Sequence, residues 1–433
     1  MKIENLYDLF RQCEGGVTTD SRHCPPRSLF VALKGDTFDG NRFASKALEA
    51  GCAYAVVDDP SVIPAGDTRY LLTDNCLLTL QALARIHRRT LGTRILGITG
   101  TNGKTTTKEL IANVLRTRYN LLYTEGNLNN HIGVPLTLLR LKPEHELAVV
   151  EMGASHPGDI KELVDIAEPD MGLITNVGKA HLEGFGSFEG VMRTKGELYD
   201  FLRTRPQAFI FLHADNPYLQ KMAEGLSCVT YGSGEGASVQ GQMTGCSPFL
   251  DFVWRKRGQS LAHPVSTRLI GSYNLPNVLA AVAVGDYFGV DADGIDKALS
   301  EYTPQNNRSQ LKRTADNTLI IDAYNANPTS MMAALANFRQ MEAPHKAVIL
   351  GDMRELGKDS LYEHRKIVDY LQTCGFEQVF LVGDQFGAIP SPYAVYPDAP
   401  ALIARLQAQK PTGMTLLIKG SNGIHLNTVV DYL

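Results

Sequence analysis

The stretch Gly97-Ile-Thr-Gly-Thr-Asn-Gly-Lys-Thr-Thr-Thr107 decides the fold of the central part of this chain. A short apolar run, Arg94-Ile95-Leu96, precedes it, and the helical pattern KELIANVLR follows. A strand, a glycine loop and a helix in that order place backbone N–H groups and a helix N-terminus where phosphates bind. Gly100, Thr101, Asn102, Gly103, Lys104, Thr105 and Thr106 form the expected cradle. Lys104 is placed to reach the terminal phosphates, and the Thr105 hydroxyl to ligate Mg²⁺. Ile98 stands where the general GxxxxGK[ST] pattern has its first glycine, so the loop is the narrower GTNGKT variant.

Outward from this loop, the rest of the chain reads as α/β. With 433 residues the chain exceeds what one core fills, and about three domains are expected. Residues 1–85 form a small α/β unit, with SLFVAL and AYAVVDD as strands around the helix FASKALEAG. Residues 86–305 alternate apolar strands (TRILGITG, ELAVVEMGA, DMGLITNVG, QAFIFLHAD) with helices, which suits a mostly parallel sheet covered on both faces. The segment GSGEGASVQGQ reads as a loop. Residues 306–433 repeat a doubly wound pattern, TLIIDAYN, HKAVILGD, EQVFLVGD and TLLIKG between helices, with ligand-facing residues expected at strand C-termini. No GxGxxG opens its first turn, which argues against a dinucleotide.

Net charge is -4, which points away from nucleic acid and anionic membranes. No run of about 18 apolar residues is present, so no membrane span is expected. The N-terminus lacks a signal-peptide core, and seven scattered cysteines without CxxC fit reduced thiols, which makes a cytoplasmic protein the expectation.

A P-loop specifies a nucleotide but no reaction, so the polar groups at neighbouring strand ends carry the next step. Glu151 ends the run ELAVVE, either as a Mg²⁺ ligand or as a solvated strand end. His181, in NVGKAHLEGFGS, is either a metal ligand or a brace for its loop; beside the P-loop and Glu151, a second Mg²⁺ is favoured. Lys195 shares a helix face with Val191, Met192, Leu198, Tyr199 and Leu202, and the pattern alone favours snorkelling to water over modification or pairing near a metal. Asn127, Asn129 and Asn130, and separately Asn274 and Asn277, are either helix caps and turn formers or nucleotide and sugar contacts.

Taken together, GTNGKTTT, EMGAS, NVGKAHLEGFG, TKGELYD and GSYNLPNVLAA, in this order, resemble the Mur ligase family across essentially the whole chain. The resemblance implies three domains: an N-terminal one for the UDP-substrate, a central P-loop one for ATP, and a C-terminal Rossmann-like one. It also implies ATP-dependent, ADP-forming amide synthesis through an acyl phosphate, by a monomer. GDTFDGNRF, NNHIGVPLTLL, DAYNANPTSM and LGDMRELG are similar to the members whose substrates are UDP-N-acetylmuramoyl-tripeptide and D-alanyl-D-alanine. Ligases for other amines, folylpolyglutamate-type ligases and a P-loop NTPase without ligase activity are the alternatives.

By position, the resemblance gives Thr105 and Glu151 to a first Mg²⁺, and His181 to a second. It gives Lys195, carbamylated by CO₂, to the metals as an anion. Asn274 and Arg308 go to the adenine and phosphates, and Asp322, with Tyr324 and Asn325, to the ribose. Ser21, Arg22, Lys34, Asp36 and Asp39 go to the UDP end, and Asn127, Asn129 and Asn130 to the muramyl-peptide. The chain departs from the family at IDAYNANP, where DDSYNANP is usual, and at KGSN, where Asn422 replaces the arginine of KGSR.

Overall fold

The structure is a computed structural model that describes residues 1–304 and 308–433. The described residues carry three sheets. In the first, the strands Val17–Thr18, Leu29–Val31, Tyr54–Val57 and Tyr70–Leu72 lie side by side in chain order, all parallel. The helix Ala44–Glu49 covers it with Ala44, Ala47 and Leu48 buried.

The second sheet is nine-stranded. Its spatial order is Leu121–Tyr123, Leu147–Glu151, Arg94–Thr99, Met171–Ile174, Phe209–His213, Ser227–Gly232, Val239–Cys246, Phe249–Lys256 and His263–Ile270. Pairing is parallel as far as Val239–Cys246 and antiparallel beyond it. The mostly parallel sheet is therefore extended by an antiparallel ribbon. GSGEGASVQGQ is only partly a loop: from Val239 the chain is strand, paired parallel to Ser227–Gly232 and antiparallel to Phe249–Lys256, with Val239, Gln240 and Gly241 buried. Arg94–Thr99 lies between Leu147–Glu151 and Met171–Ile174, where the strand order reverses. That crevice is where ligands of open α/β sheets bind.

Local chemistry fixes the ends of the flanking helices. Cys76–Leu91 starts at Asn75, whose side chain accepts from Leu78 N at 2.9 Å, and stops at Gly92 in the left-handed region. The expected division at 85/86 falls inside this continuous helix, and the one at 305/306 lies outside the described residues. The helix joins the first two units: His87 touches Tyr7 Oη (3.1 Å) and Leu141 O (2.9 Å), and Gln81 donates to Glu162 at 2.6 Å. Leu275–Tyr287 is apolar all round and buried from Asn277 to Gly285, sandwiched against Lys104–Leu115 and the sheet.

The third sheet is six-stranded, ordered Gln310–Arg313, Thr318–Asp322, Thr415–Lys419, Lys346–Gly351, Gln378–Val382 and Ala394–Tyr396. Only its first pair is antiparallel. No helix among the described residues is long and apolar enough to cross a membrane, and the seven cysteines are all unpaired.

Candidate active site

A cavity of about 780 Å³ lies between the C-terminal strand ends of the second sheet and those of the third. Thr101 to Thr106 line it on one side, and Asp322, Tyr324, Asn325 and Lys419 on the other. The loop is held open from behind. Thr101 N donates to Asn176 O at 2.9 Å, Asn102 N to Asn176 Oδ1 at 2.9 Å, and Thr175 Oγ1 to Asn102 O at 2.6 Å. Gly103 precedes the helix Lys104–Leu115 with φ 79°, and a Cβ there would stand 2.7 Å from Asn277 Oδ1. Lys104 Nζ donates to the carbonyls of Gly100 (2.8 Å) and Thr101 (3.1 Å). Burial lowers the pKa of Lys104, against the pull of Glu151.

Glu151 is 1 % exposed. Its Oε1 accepts from Thr105 Oγ1 (3.2 Å) and Asn129 Nδ2 (2.8 Å), while Oε2 is buried with no hydrogen-bond donor. Lys108 Nζ, itself fully buried, lies 4.0 Å from that oxygen and donates to Thr124 O at 2.6 Å. A free carboxylate oxygen beside a threonine hydroxyl at a phosphate loop fits a hard divalent cation whose remaining ligands are phosphate and water. No group of three or more His, Cys, Asp or Glu able to hold a metal occurs among the described residues.

His181 lines the cavity in a left-handed conformation (φ 49°), with Nδ1 against Glu355 Oε2 of the third unit and its ring edge-on to Phe185. Lys195 corrects the pattern-based expectation of snorkelling. It is 2 % exposed, donates to Ala154 O at 3.3 Å and lies 5.3 Å from the centre of the Phe185 ring. Its helix, Phe188–Arg203, packs against Asp159–Ala167, which buries the side chain beside the cavity-lining Ala154. Burial first, then the charge of Lys104, push its pKa well below that of an ordinary lysine.

Other expected residues fall into place unevenly. Asn274 Oδ1 accepts from Asn277 Nδ2 (2.9 Å), and Asn277 Oδ1 accepts from Thr107 Oγ1 (3.1 Å), so this pair braces the P-loop helix beside the cavity. The Arg308 guanidinium lies 3.9 Å from the Tyr324 ring centre. Asp322 accepts from Lys419 Nζ at 2.6 Å. Asn129 and Asn130 line the cavity, but Asn130 Oδ1 is taken by the N–H groups of Ile132 and Gly133, and Asn127 is exposed outside it.

Ser21, Arg22, Lys34, Asp36 and Asp39 are not brought to the cavity. They lie on the first unit, where Arg22 pairs with Asp20, Lys34 with Asp58 (3.0 Å), and Asp39 caps the turn at Asn41. Residues the sequence reading passed over complete the site: Asn176, Glu355, Lys108 and Asn327. Asn327 Nδ2 donates to Asn102 Oδ1 at 2.7 Å across the two units and caps the helix Pro328–Gln340. NANP before a helical run is a legible cap signal; the others are tertiary contacts without a local signature.

Three domain families cover this architecture: the Mur ligase catalytic domain over residues 15–88, the Mur ligase middle domain over 98–285, and the Mur ligase glutamate ligase domain over 307–422. The chain belongs to the Mur ligase family. It is 35% identical over 435 residues to the UDP-N-acetylmuramoyl-tripeptide–D-alanyl-D-alanine ligase of Bacillus subtilis, covering 96% of this chain and 93% of that protein. It is 36% identical over 428 residues to the ligase of that name from Escherichia coli, with the same two coverages. Among solved structures it is similar to MurF of Acinetobacter baumannii (TM-score 0.85, 31% identity, 96% and 92% of the two chains). It is also similar to the MurF ligase of Thermotoga maritima in complex with ADP (TM-score 0.84, 26% identity, 96% of each chain).

Proposed function

We propose that this chain is an ATP-dependent, ADP-forming ligase that joins D-alanyl-D-alanine to UDP-N-acetylmuramoyl-tripeptide in peptidoglycan precursor synthesis. The observation that carries this reading is a cavity that sets a P-loop and the half-satisfied Glu151 carboxylate opposite a second α/β unit. Near-full-length likeness to ligases of that activity supports it. The tripeptide carboxylate oxygen attacks the γ-phosphorus and ADP leaves, giving an acyl phosphate. The dipeptide amine then attacks the acyl carbon, loses a proton, and inorganic phosphate departs as the amide forms.

The protein's part is charge control and exclusion of water. A carboxylate and a triphosphate repel one another, and Lys104 with the P-loop N–H groups offsets that repulsion at the phosphates. Mg²⁺ at Thr105 and Glu151, and a second ion at His181 and a Lys195 carbamate, would supply further positive charge to the same oxygens. Lys195 suits carbamylation, because burial shifts the amine towards its neutral form, the one that adds to CO₂. Asn274, Arg308, Asp322, Tyr324 and Asn325 hold the nucleoside end. We read residues 1–85 as the unit for the UDP end, through Ser21, Arg22, Lys34, Asp36 and Asp39, with Asn127, Asn129 and Asn130 towards the muramyl-peptide. Residues 86–305 form the ATP unit and 306–433 the unit that closes over it. Unpaired cysteines and the need for ATP support a cytoplasmic reaction.

Phosphate release measured with one component omitted at a time tests the reading. Release that needs ATP, UDP-tripeptide and dipeptide together, with a pentapeptide product by mass spectrometry, is expected. Release that ignores the dipeptide overturns it in favour of an NTPase.

A further inference from the structure

The acceptor dipeptide carries a carboxylate at the end remote from its reacting amine. Drawing that group out of water requires a paired cation. The cations around the cavity are largely committed. Lys104 is bound to the P-loop carbonyls, and Arg308 is stacked on Tyr324. Lys419 is 2 % exposed and bound to Asp322 (2.6 Å) and Asn325 O (3.2 Å). Lys179 pairs with Glu363 at 3.0 Å. Lys419 therefore cannot stand in for the arginine that Asn422 replaces.

Arg354 is different. It follows the strand Lys346–Gly351 and immediately precedes Glu355, which lines the cavity. It is exposed, and among the described residues no carboxylate lies within 4.0 Å of its guanidinium. Two bonds aim it. Its backbone N donates to Ser421 Oγ at 2.9 Å, and its Nη2 donates to Gly423 O at 2.9 Å. The guanidinium lies so close over the turn Asn422–Ile424 that a Cβ on Gly423 would stand 2.3 Å from Nη1. An arginine head thus sits on the KGSN turn, although it comes from another loop. Its Nε and Nη1 hydrogens have no protein acceptor among the described residues, which leaves N–H donors for a carboxylate.

We propose that Arg354 binds the terminal carboxylate of the acceptor dipeptide, and so supplies from the LGDMRELG loop the charge that position 422 lacks. The inference rests on the ligase reading above. It makes the free carboxylate, and not the alanyl side chains alone, a determinant of acceptor choice.

The test compares D-alanyl-D-alanine with D-alanyl-D-alaninamide, which lacks the negative charge, in wild type, Arg354→Met, Arg354→Lys and Arg354→Met/Asn422→Arg. Loss of a charge-assisted pair raises KM for the dipeptide roughly 10- to 100-fold in Arg354→Met. KM for ATP and for the UDP-substrate stays unchanged, and the amide is used as poorly as by wild type. Arg354→Lys, which keeps the charge without the planar fork, shows a smaller loss and serves if the methionine variant does not fold. Adding Asn422→Arg restores dipeptide use. Equal losses for dipeptide and amide, or a wild type that uses both equally well, overturn the assignment. If wild type ligates neither, the ligase reading itself falls; if it ligates the dipeptide and Arg354→Met does so equally well, only the Arg354 assignment falls.

Discussion

Replacing Lys108 with methionine removes a fully buried cation from behind Glu151. At 4.0 Å from Glu151 Oε2, and at an effective dielectric of about 20, the attraction amounts to about 4 kcal/mol. The charge-assisted bond to Thr124 O and the pair with Glu109 (2.9 Å) go with it. Methionine gains by not having to desolvate an ammonium, but Glu151 stays buried and loses the cation within 4.0 Å of its unbonded oxygen, with only the charge of Lys104 still acting on it. Breaking one side of a buried pair costs about 3–5 kcal/mol. For a unit of this size that is a fall in Tm of roughly 10 °C. The chain has a single tryptophan, Trp254, buried in the central unit, so its fluorescence on heating reports this unit alone. The gap between wild type and Lys108→Met should be full without ligand and shrink with Mg²⁺ and ADP, because a divalent ion at Glu151 supplies the missing charge. An equal gap in both conditions, or none, would refute the reasoning that Lys108 holds a metal-binding carboxylate in readiness.

Other outcomes follow from the same geometry. Gly103→Ala forces a side chain into the left-handed region and against Asn277, so ADP affinity by calorimetry should fall at least about tenfold, with about 1 kcal/mol or more of stability lost. Burial holds the His87 pKa below its ordinary value of 6.5. As pH drops below 6.5 the unfolded chain takes up a proton that the folded chain refuses, so stability falls there and is flat above it. His87→Gln should flatten that acid limb in a pH series of urea titrations. Carbon-13 bicarbonate should give a carbamate signal in wild-type protein that disappears in Lys195→Met; an unchanged signal places the modification elsewhere.

The P-loop was legible because its chemistry is local: glycines permit the backbone, and Lys104 and Thr105 lie one after the other on the helix that follows. Asp322 and Glu151 were legible as polar ends of apolar strands. Lys195 was not, because helical spacing shows only that it shares an apolar face; the packing of a second helix and Phe185 decides that it is buried. The strands from Val239 to Ile270 were missed because glycines and polar residues interrupt the first, and in the two that follow buried side chains alternate with more exposed ones. Glu355 and Asn327 reach the site from a different unit, across contacts that no short window contains.

The most direct measurement of the central claim uses UDP-tripeptide labelled with oxygen-18 in its reacting carboxylate. An acyl phosphate intermediate transfers one labelled oxygen to the inorganic phosphate for each amide formed, and mass spectrometry of that phosphate should find it. Phosphate without label, with ATP hydrolysed by water, would contradict the account.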